Sequence, residues 1–531
     1  MRITRTRLPI STSLLRSHYG PYAVHTKQGN ELPPLGEGRE RFAVKNPATG
    51  EELATVQTSS ADDVRAAISD AYAVFKEGTW SKAPLDVRSS VLAQLAQNVA
   101  ENIDDLAKME SLQTGRPIRE MKAQLLRVPE WLIYFASVLR THQGFVAPTD
   151  GPLLNYVQRV PLGVVAQITP FNHPLFIAIK KLAPALAAGN SVIVKPSEHA
   201  PCSVLELADM AEAAGLPNGV LSVLPGFGKT TGMNIISNPM IRKVDVTGGT
   251  IMGRDVGAIV GRNLAAYNAE LGGKAPVVVF DDADPESAAN GAAFACFVAS
   301  GQTCISGTRL IVQEQIYDDF MRHFLHKVET IKLRMGDPLN PKTMMGTVIS
   351  EQQVQRIQDM VDRRSKKSKI LAGGQRLTGT SSWDGFDFSK GAFYPPTVIA
   401  NISTDEYLWR EEVFGPVVVV KKFTDESEGV TLANACKYGL GAGIWTQNLS
   451  RAHRVAADIE AGLVWVNTHH RNDPSSPWGG MKESGIGREN GIEAYESYSQ
   501  TKSTIVNIAT AEDTREKQDW FALDGEDRRY G

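Results

Sequence analysis

Residues 164–280 predict an α/β fold with a parallel, doubly wound sheet. Short apolar runs recur there: VVAQIT (164–169), SVIVK (191–195), VLSVL (220–224), RKVDV (242–246) and LAAYNAE (264–270). Helical stretches separate them, and glycines close those stretches: one runs to Ala188 and stops at Gly189, and PCSVLELADMAEAA (201–214) stops at Gly215. Parallel neighbours need crossover connections, which alternating strands and helices supply. Ligands on such a sheet bind beyond the carboxyl ends of its strands. Those ends carry Asn172, Lys195 to Glu198, Gly226 to Gly232, Gly248 to Gly253, and Glu270.

The flanking elements follow in order. The leader MRITRTRLPISTSLLRSHYGPYAVHTK has four arginines and no acidic residue before Glu31. That is the composition of a mitochondrial transit peptide, although Pro9 interrupts an amphipathic helix; a disordered tail is the alternative. Globular text starts near Ala43, with Asn46-Pro47 and Thr49-Gly50 marking a turn. Helical spacing of apolar residues predicts helices over about 61–76 and 86–114, and weak alternation suggests a hairpin around 143–162. A second α/β stretch runs from about 275 to 487, with strands at PVVVF, TRLIV, VVVVKKF and LVWVN. The terminal SYSQTKSTIVNI alternates like a strand but has no obvious partner, and such strands pair elsewhere in the fold or with another subunit.

Composition narrows the function classes. With 531 residues, 42% hydrophobic, 22% charged and a formal charge of -3, the chain is an ordinary globular protein of two or three domains. The missing basic excess disfavours nucleic acid, and no apolar run approaches the roughly 20 residues that span a bilayer. Four scattered cysteines make no disulfide framework and point to a reducing compartment. No CxxC pair exists, and His469-His470 lacks partners at a metal-ligand spacing, so no metal is expected.

Several residues stand out against that background. In GQTCISGTR (301–309), Cys304 sits among small polar residues, either as a buried structural thiol or as an uncrowded nucleophile. ELGGK (270–274) places Glu270 beside glycines that permit close backbone approach. In TPFNHP (169–174) prolines hold Asn172, a suitable donor to a developing oxyanion or a plain turn residue. Glu198 in KPSE follows a strand, where a carboxylate accepts from ribose hydroxyls and repels a 2′-phosphate, favouring NAD over NADP; a charge at a helix N-terminus is the alternative. GFGKTTG (226–232) follows a strand like a dinucleotide loop, but its spacing is G-x-G-x-x-x-G, and a phosphate loop fails because Val223 stands where glycine is required.

Together Asn172, Glu270 and Cys304, with KPSE and EEVFGP (411–416) in the same order, resemble the aldehyde dehydrogenase superfamily over about residues 43–505. The resemblance implies a Rossmann-like cofactor domain (40–140 and 163–273), a second α/β catalytic domain (274–487) and a small β oligomerisation flap (141–162 and 488–510). Residues 1–30 are then a transit peptide or tail, and 511–531 a C-terminal tail. Cys304 is implied as the nucleophile that carries a thiohemiacetal and then a thioester. Asn172 and the Cys304 N–H become oxyanion donors, and Glu270 the base for hydrolytic water; its presence favours the hydrolytic over the coenzyme A branch. Glu489 in SGIGREN matches a carboxylate linked to water and proton traffic, with a structural ion pair as the alternative.

Cofactor contacts are implied at Thr169, Pro170, Phe171, Lys195, Glu198, Gly228, Gly232, Gly248, Gly249, Gly253, Leu271, Glu412 and Phe414. Phe171 replaces a common tryptophan and Gly249 a common serine. The cofactor expectation is NAD, with NADP second. On the substrate side, Trp478 matches an aromatic tunnel wall, but Lys180 and Val298 stand where enzymes of cationic aminoaldehydes place further aromatics. That disfavours betaine aldehyde and aminoaldehydes and favours neutral aromatic or medium aliphatic aldehydes. His173, His469, His470 and Arg471 are tunnel-mouth candidates, with exposed loop polarity the alternative. A homo-dimer or homo-tetramer is implied, in the cytoplasm or, through the leader, the mitochondrial matrix.

Overall fold

The computed structural model describes residues 38–521, plus the backbone of two short strands, Leu15–Ser17 and Gly20–Tyr22. Apart from those strands, the transit-peptide expectation for 1–30 lies outside the described residues, as does most of the C-terminal tail expectation at 522–531.

The first sheet has six strands in the spatial order Gly485–Ile486, Ala266–Glu270, Ile241–Thr247, Val164–Ile168, Ser191–Lys195 and Leu221–Val223. All neighbours are parallel except the edge pair formed by Gly485–Ile486. Chain order reverses between Val164–Ile168 and Ile241–Thr247, which creates the crevice where doubly wound sheets bind ligands. Ser191–Lys195 is buried at every position, as a central parallel strand covered on both faces requires. Helix Pro174–Ala187 is buried all round, and Lys180 and Lys181 are its only charged residues.

The second sheet has seven strands, ordered Lys369–Ala372, Thr397–Ala400, Val417–Phe423, Arg309–Gln313, Pro276–Val279, Gly441–Trp445 and Leu463–Val466, all parallel but the first. Three of these, at 369, 397 and 441, were not expected from sequence. The strand Ser499–Asn507 finds its partner within the chain: it pairs antiparallel with Leu153–Pro161 over nine residues, and Phe145–Ala147 adds the third strand.

Local signals explain the helices. Ser60 and Asp63 form a reciprocal capping box on Ala61–Glu77, and Gly78 closes that helix at φ 87°. The expected 86–114 stretch divides at Asn102 into Leu85–Glu101 and Ile103–Thr114. A further hairpin, Arg41–Lys45 with Glu52–Gln57, forms around the turn expected at Asn46-Pro47 and Thr49-Gly50.

Candidate active site

Cys304 is carried by a loop between helix Pro285–Phe297 and strand Arg309–Gln313. A tight turn delivers it: Ala299 and Ser300 both take left-handed backbone at φ 54° and 52°. The thiol packs on a small cluster of Ile305, Leu440, Trp465 and Trp478. Burial, then the nearby Glu412 and Glu270 carboxylates, push its pKa up to about 12. Two of the ELGGK glycines explain how Glu270 approaches. A Cβ on Gly273 would run into the Cys304 carbonyl oxygen, and one on Gly272 would lie 2.5 Å from Glu412 Oε2.

Two buried carboxylates share this chamber and differ completely in their partners. Glu489 Oε2 meets Lys180 Nζ at 2.8 Å and its Oε1 meets Lys181 Nζ at 2.5 Å. Lys181 also pairs with Asp245, so two ammoniums and two carboxylates neutralise one another. Burial alone raises the Glu489 pKa, but the two lysines outweigh it and hold the group down at about 2. Glu270 has no hydrogen-bond partner on either carboxyl oxygen, although both are buried. Burial first, then the Glu489 charge, push its pKa well above the usual carboxylate range. A Cβ on Gly479 would sit 2.9 Å from Glu270 Oε1, so the SPWGG glycine keeps space open beside that oxygen.

Asn172 Nδ2 donates to the Gln302 carbonyl at 2.7 Å, two residues before Cys304. An amide nitrogen carries two hydrogens, so this bond orients the group and leaves one donor for a ligand. Trp478 is buried, and the Lys180 ammonium lies over its ring at 4.6 Å. The histidines correct the exposed-loop alternative: His173 and His469 are both buried. His173 Nδ1 is 2.7 Å from Arg116 Nη1, and burial with that guanidinium drives its pKa well below the usual value. His469 Nε2 is 2.8 Å from the Ile305 carbonyl, and burial lowers its pKa to about 4. His470 is pushed down to about 3 by burial and its neighbours. All three are therefore neutral at pH 7. Only Arg471 keeps the exposed character, and Val298 begins the turn before Cys304.

Strand ends assemble the cofactor side. Thr169 N donates to the Lys195 carbonyl at 3.0 Å, joining two neighbouring ends just before Pro170. Phe171 and Phe414 stand edge to face, with centroids 5.7 Å apart. Lys195 Nζ lies 3.5 Å from Glu198 Oε2, with Glu198 at the solvent side. Gly228–Gly232 forms one π-helical turn after strand Leu221–Val223, and a Cβ at Gly232 would touch Lys195. Gly248 N donates to the Glu270 carbonyl at 3.0 Å. Gly249 is the N-cap of the 13-residue helix Thr250–Arg262 and makes no side-chain cap bond, leaving that N-terminus to an anion. A Cβ at Gly253 would collide with Leu271, whereas one at Gly228 or Gly249 would meet nothing within 4 Å. This open cradle fits a dinucleotide pyrophosphate. Glu412 Oε1 accepts from Gly273 N at 3.0 Å, and burial raises its pKa to about 7.

Sequence reasoning missed Arg116, Glu120, Lys181 and Asp245. The spacing of Arg116, Glu120 and Gln124 by four residues was a signal for one helix-side cluster. The KK pair inside an otherwise apolar helix was a signal for buried ion pairs. Among the described residues, no group of three His, Cys, Asp or Glu side chains could hold a metal ion, and no helix is long and apolar enough to cross a membrane.

An unpartnered buried carboxylate near Cys304 and open glycine positions at the strand ends of a doubly wound sheet fit a dinucleotide-dependent enzyme. Residues 35–504 match the aldehyde dehydrogenase family, and the chain belongs to that family. It is 40% identical over 471 residues to a phenylacetaldehyde dehydrogenase of Pseudomonas fluorescens, covering 87% of this chain and 92% of the relative. A structure of a mutant P. syringae AldA indole-3-acetaldehyde dehydrogenase with NAD+ and IAA superposes at TM-score 0.84 with 34% identity, over 88% of this chain and 93% of that one. The betaine aldehyde dehydrogenase of Staphylococcus aureus in complex with NAD+ gives TM-score 0.86 and 34% identity over 91% and 94%. The protein is an aldehyde dehydrogenase, with a small-molecule aldehyde as substrate.

Proposed function

We propose that the protein oxidises an uncharged aromatic or medium aliphatic aldehyde to its carboxylic acid with NAD, releasing the acid by hydrolysis of a Cys304 thioester. The observation that carries the hydrolytic reading is Glu270, buried with both oxygens unpartnered beside the Cys304 loop. Burial without a donor favours the protonated form of Glu270 and raises its pKa, which makes the ionised form a stronger base.

At rest the thiol is protonated, because burial and two carboxylates raise it. Glu270 takes the thiol proton as sulfur attacks the aldehyde carbon, and the carbonyl oxygen becomes an oxyanion. The free hydrogen of Asn172 Nδ2 and the Cys304 backbone N–H receive that charge; one such donor is worth about 2.7–4 kcal/mol. As the oxyanion reforms the carbonyl, the carbon gives up its hydride, for which NAD would be the acceptor, and a thioester is left on Cys304. Glu270, once it has released the thiol proton to solvent, takes a proton from water as the water oxygen attacks the thioester carbon. The carbon–sulfur bond breaks, the acid leaves, and the sulfur takes the proton from Glu270 to reform the thiol. Glu489 is ionised throughout because two lysines hold it. It acts as a fixed negative charge that keeps Glu270 basic, a role different from proton carrier.

Thr169, Pro170, Phe171, Leu271 and Phe414 would wall the cofactor, Lys195 and Glu198 would meet the adenosine ribose, and Glu412 the nicotinamide ribose. Gly228, Gly232, Gly248, Gly249 and Gly253 would leave room for the pyrophosphate. The relatives act on aromatic and on cationic aldehydes alike by name, so this chain's own wall decides. Lys180 covers the Trp478 face, where a cationic substrate would meet an ammonium instead of a π-face. Neutral His173 adds no charge to the wall.

A homo-oligomer is part of the proposal. Phe145, Val146, Ile505 and Val506 are exposed on the three-stranded flap, and Ser499–Asn507 has one free edge. An apolar, unpaired edge is a pairing surface. The test of the whole reading is NADH formation by wild type and Cys304→Ala with phenylacetaldehyde. A loss of about 10³-fold or more is expected for the variant; equal rates would overturn the nucleophile assignment.

A further inference from the structure

The turn that delivers Cys304 needs an external hold. Ala299 and Ser300 are consecutive, buried, non-glycine residues in left-handed backbone, followed by Gly301 at φ 70°. Such residues cost about 1–3 kcal/mol each and persist only where the surroundings enforce them. The Ala299 N–H finds its acceptor 179 residues away in the sequence, at Glu120 Oε1, 3.0 Å distant. Glu120 belongs to helix Ile118–Leu125 and is itself held by Arg116, whose Nε lies 3.0 Å from the same oxygen and whose Nη2 also bonds it. The remaining Arg116 nitrogen, Nη1, donates to the Asn172 carbonyl at 2.9 Å and to Gln124 Oε1 at 3.0 Å.

These bonds close a ring. Ala299 is tied through Glu120 and Arg116 to the backbone of Asn172, and the Asn172 side chain returns to Gln302 at 2.7 Å. One arm carries the nucleophile and the other the oxyanion donor. The Arg116 side chain is 2% exposed and that of Glu120 19%, so water cannot substitute readily for either partner. We infer that the Arg116–Glu120 pair is a positioning device that sets the Cys304 thiol against the Asn172 amide. Arg116 acts through the backbone of Asn172, and Glu120 through the backbone of the turn that leads to Cys304. The inference rests on the roles proposed for Cys304 and Asn172.

Glu120→Gln and Glu120→Ala separate this function from simple packing. Glutamine keeps an oxygen for the Ala299 N–H, while alanine removes it. Displacement of reacting groups by about 1 Å costs on the order of 10²-fold, so kcat of Glu120→Ala is expected to fall 10- to 100-fold with KM for NAD unchanged. The rate of Cys304 alkylation by iodoacetamide, measured without aldehyde or NAD, is expected to change in Glu120→Ala and to return towards wild type in Glu120→Gln. A folded Glu120→Ala with wild-type kcat and wild-type alkylation would overturn the inference, as would equal defects in both variants. If Glu120→Ala does not fold, Arg116→Lys serves: it keeps the charge but loses the fork that reaches Asn172. Reduced kcat at unchanged Tm supports the pair, and unchanged kcat refutes it. The alkylation readout needs no turnover. Activity surviving in Cys304→Ala would therefore sink the proposed mechanism while leaving this measurement interpretable.

Discussion

The proposed cofactor side and the proposed aldehyde side of the Cys304 chamber are built from different materials. Towards the cofactor, the chain offers strand ends, glycines and the uncapped N-terminus of Thr250–Arg262. Towards the aldehyde, it offers side chains that satisfy one another: Lys180 and Lys181 on Glu489, Lys180 over Trp478, Arg116 on His173. Backbone recognition of a pyrophosphate depends on local geometry and survives changes in most side chains. Selectivity among aldehydes depends on a few side chains drawn from distant parts of the chain. The two sides should accordingly be separable by mutation.

The largest separation is expected at Lys180. Lys180→Met removes the ammonium from the face of the Trp478 ring and leaves Lys181 on Glu489. A desolvated cation–π contact is worth about 2 kcal/mol, so kcat/KM for a quaternary ammonium aldehyde should rise about 30-fold relative to phenylacetaldehyde, with KM for NAD unaltered. A steady-state panel of both aldehydes reads this directly, and an unchanged ratio would break the comparison from the aldehyde side.

A smaller effect is expected at Gly249. Space around it is open, and its φ of -72° suits any residue. Gly249→Ser adds a hydroxyl donor at the pyrophosphate cradle, and a typical hydrogen bond contributes about 0.5–1.5 kcal/mol net. KM for NAD should fall about 3- to 10-fold while aldehyde preference stays fixed. A shift in aldehyde preference would show that the two sides are coupled.

The subtlest test is the pH profile. Glu270 must be ionised to act as a base, and burial with the Glu489 charge raises its pKa. Activity should therefore be lost, on lowering the pH, earlier than for an ordinary carboxylate base. Glu489→Gln removes one negative charge and leaves Lys180 without its carboxylate partner, both of which favour ionised Glu270. The acid limb of kcat should move to lower pH; movement to higher pH would contradict the assigned electrostatics. Folding has its own signature. Glu489 has a pKa depressed to about 2 against an unfolded value near about 4.3, so its stabilisation is present above the unfolded value and is lost as pH falls through the folded one.

The same contrast explains what the sequence made legible. The strands of the first sheet and the glycines at their ends follow from local apolar runs and turn residues, so 164–270 could be traced almost strand by strand. Cys304, Glu270 and Asn172 lie in short motifs whose order carries the family resemblance. Strand Gly441–Trp445 was missed because it has two glycines in five residues, and Thr397–Ala400 because its burial comes from neighbours contributed by other segments. The partner of Ser499–Asn507 lies over 300 residues upstream, beyond any local pattern. Lys180 was legible as a misplaced ammonium, but its seat between Glu489 and Trp478 required the fold. The apparent surface polarity of His173 and His469 was misleading because packing from other segments buries both.

The central claim is that Glu270 delivers water to an acyl group on Cys304. Glu270→Gln, mixed rapidly with NAD and phenylacetaldehyde, tests it most directly. The account predicts one NADH per active site formed more slowly than in wild type, because Glu270 also takes the thiol proton, then steady turnover slowed about 10²- to 10⁴-fold, and an acyl adduct on Cys304 in the intact-protein mass. Undiminished steady turnover with no adduct on that residue would contradict it.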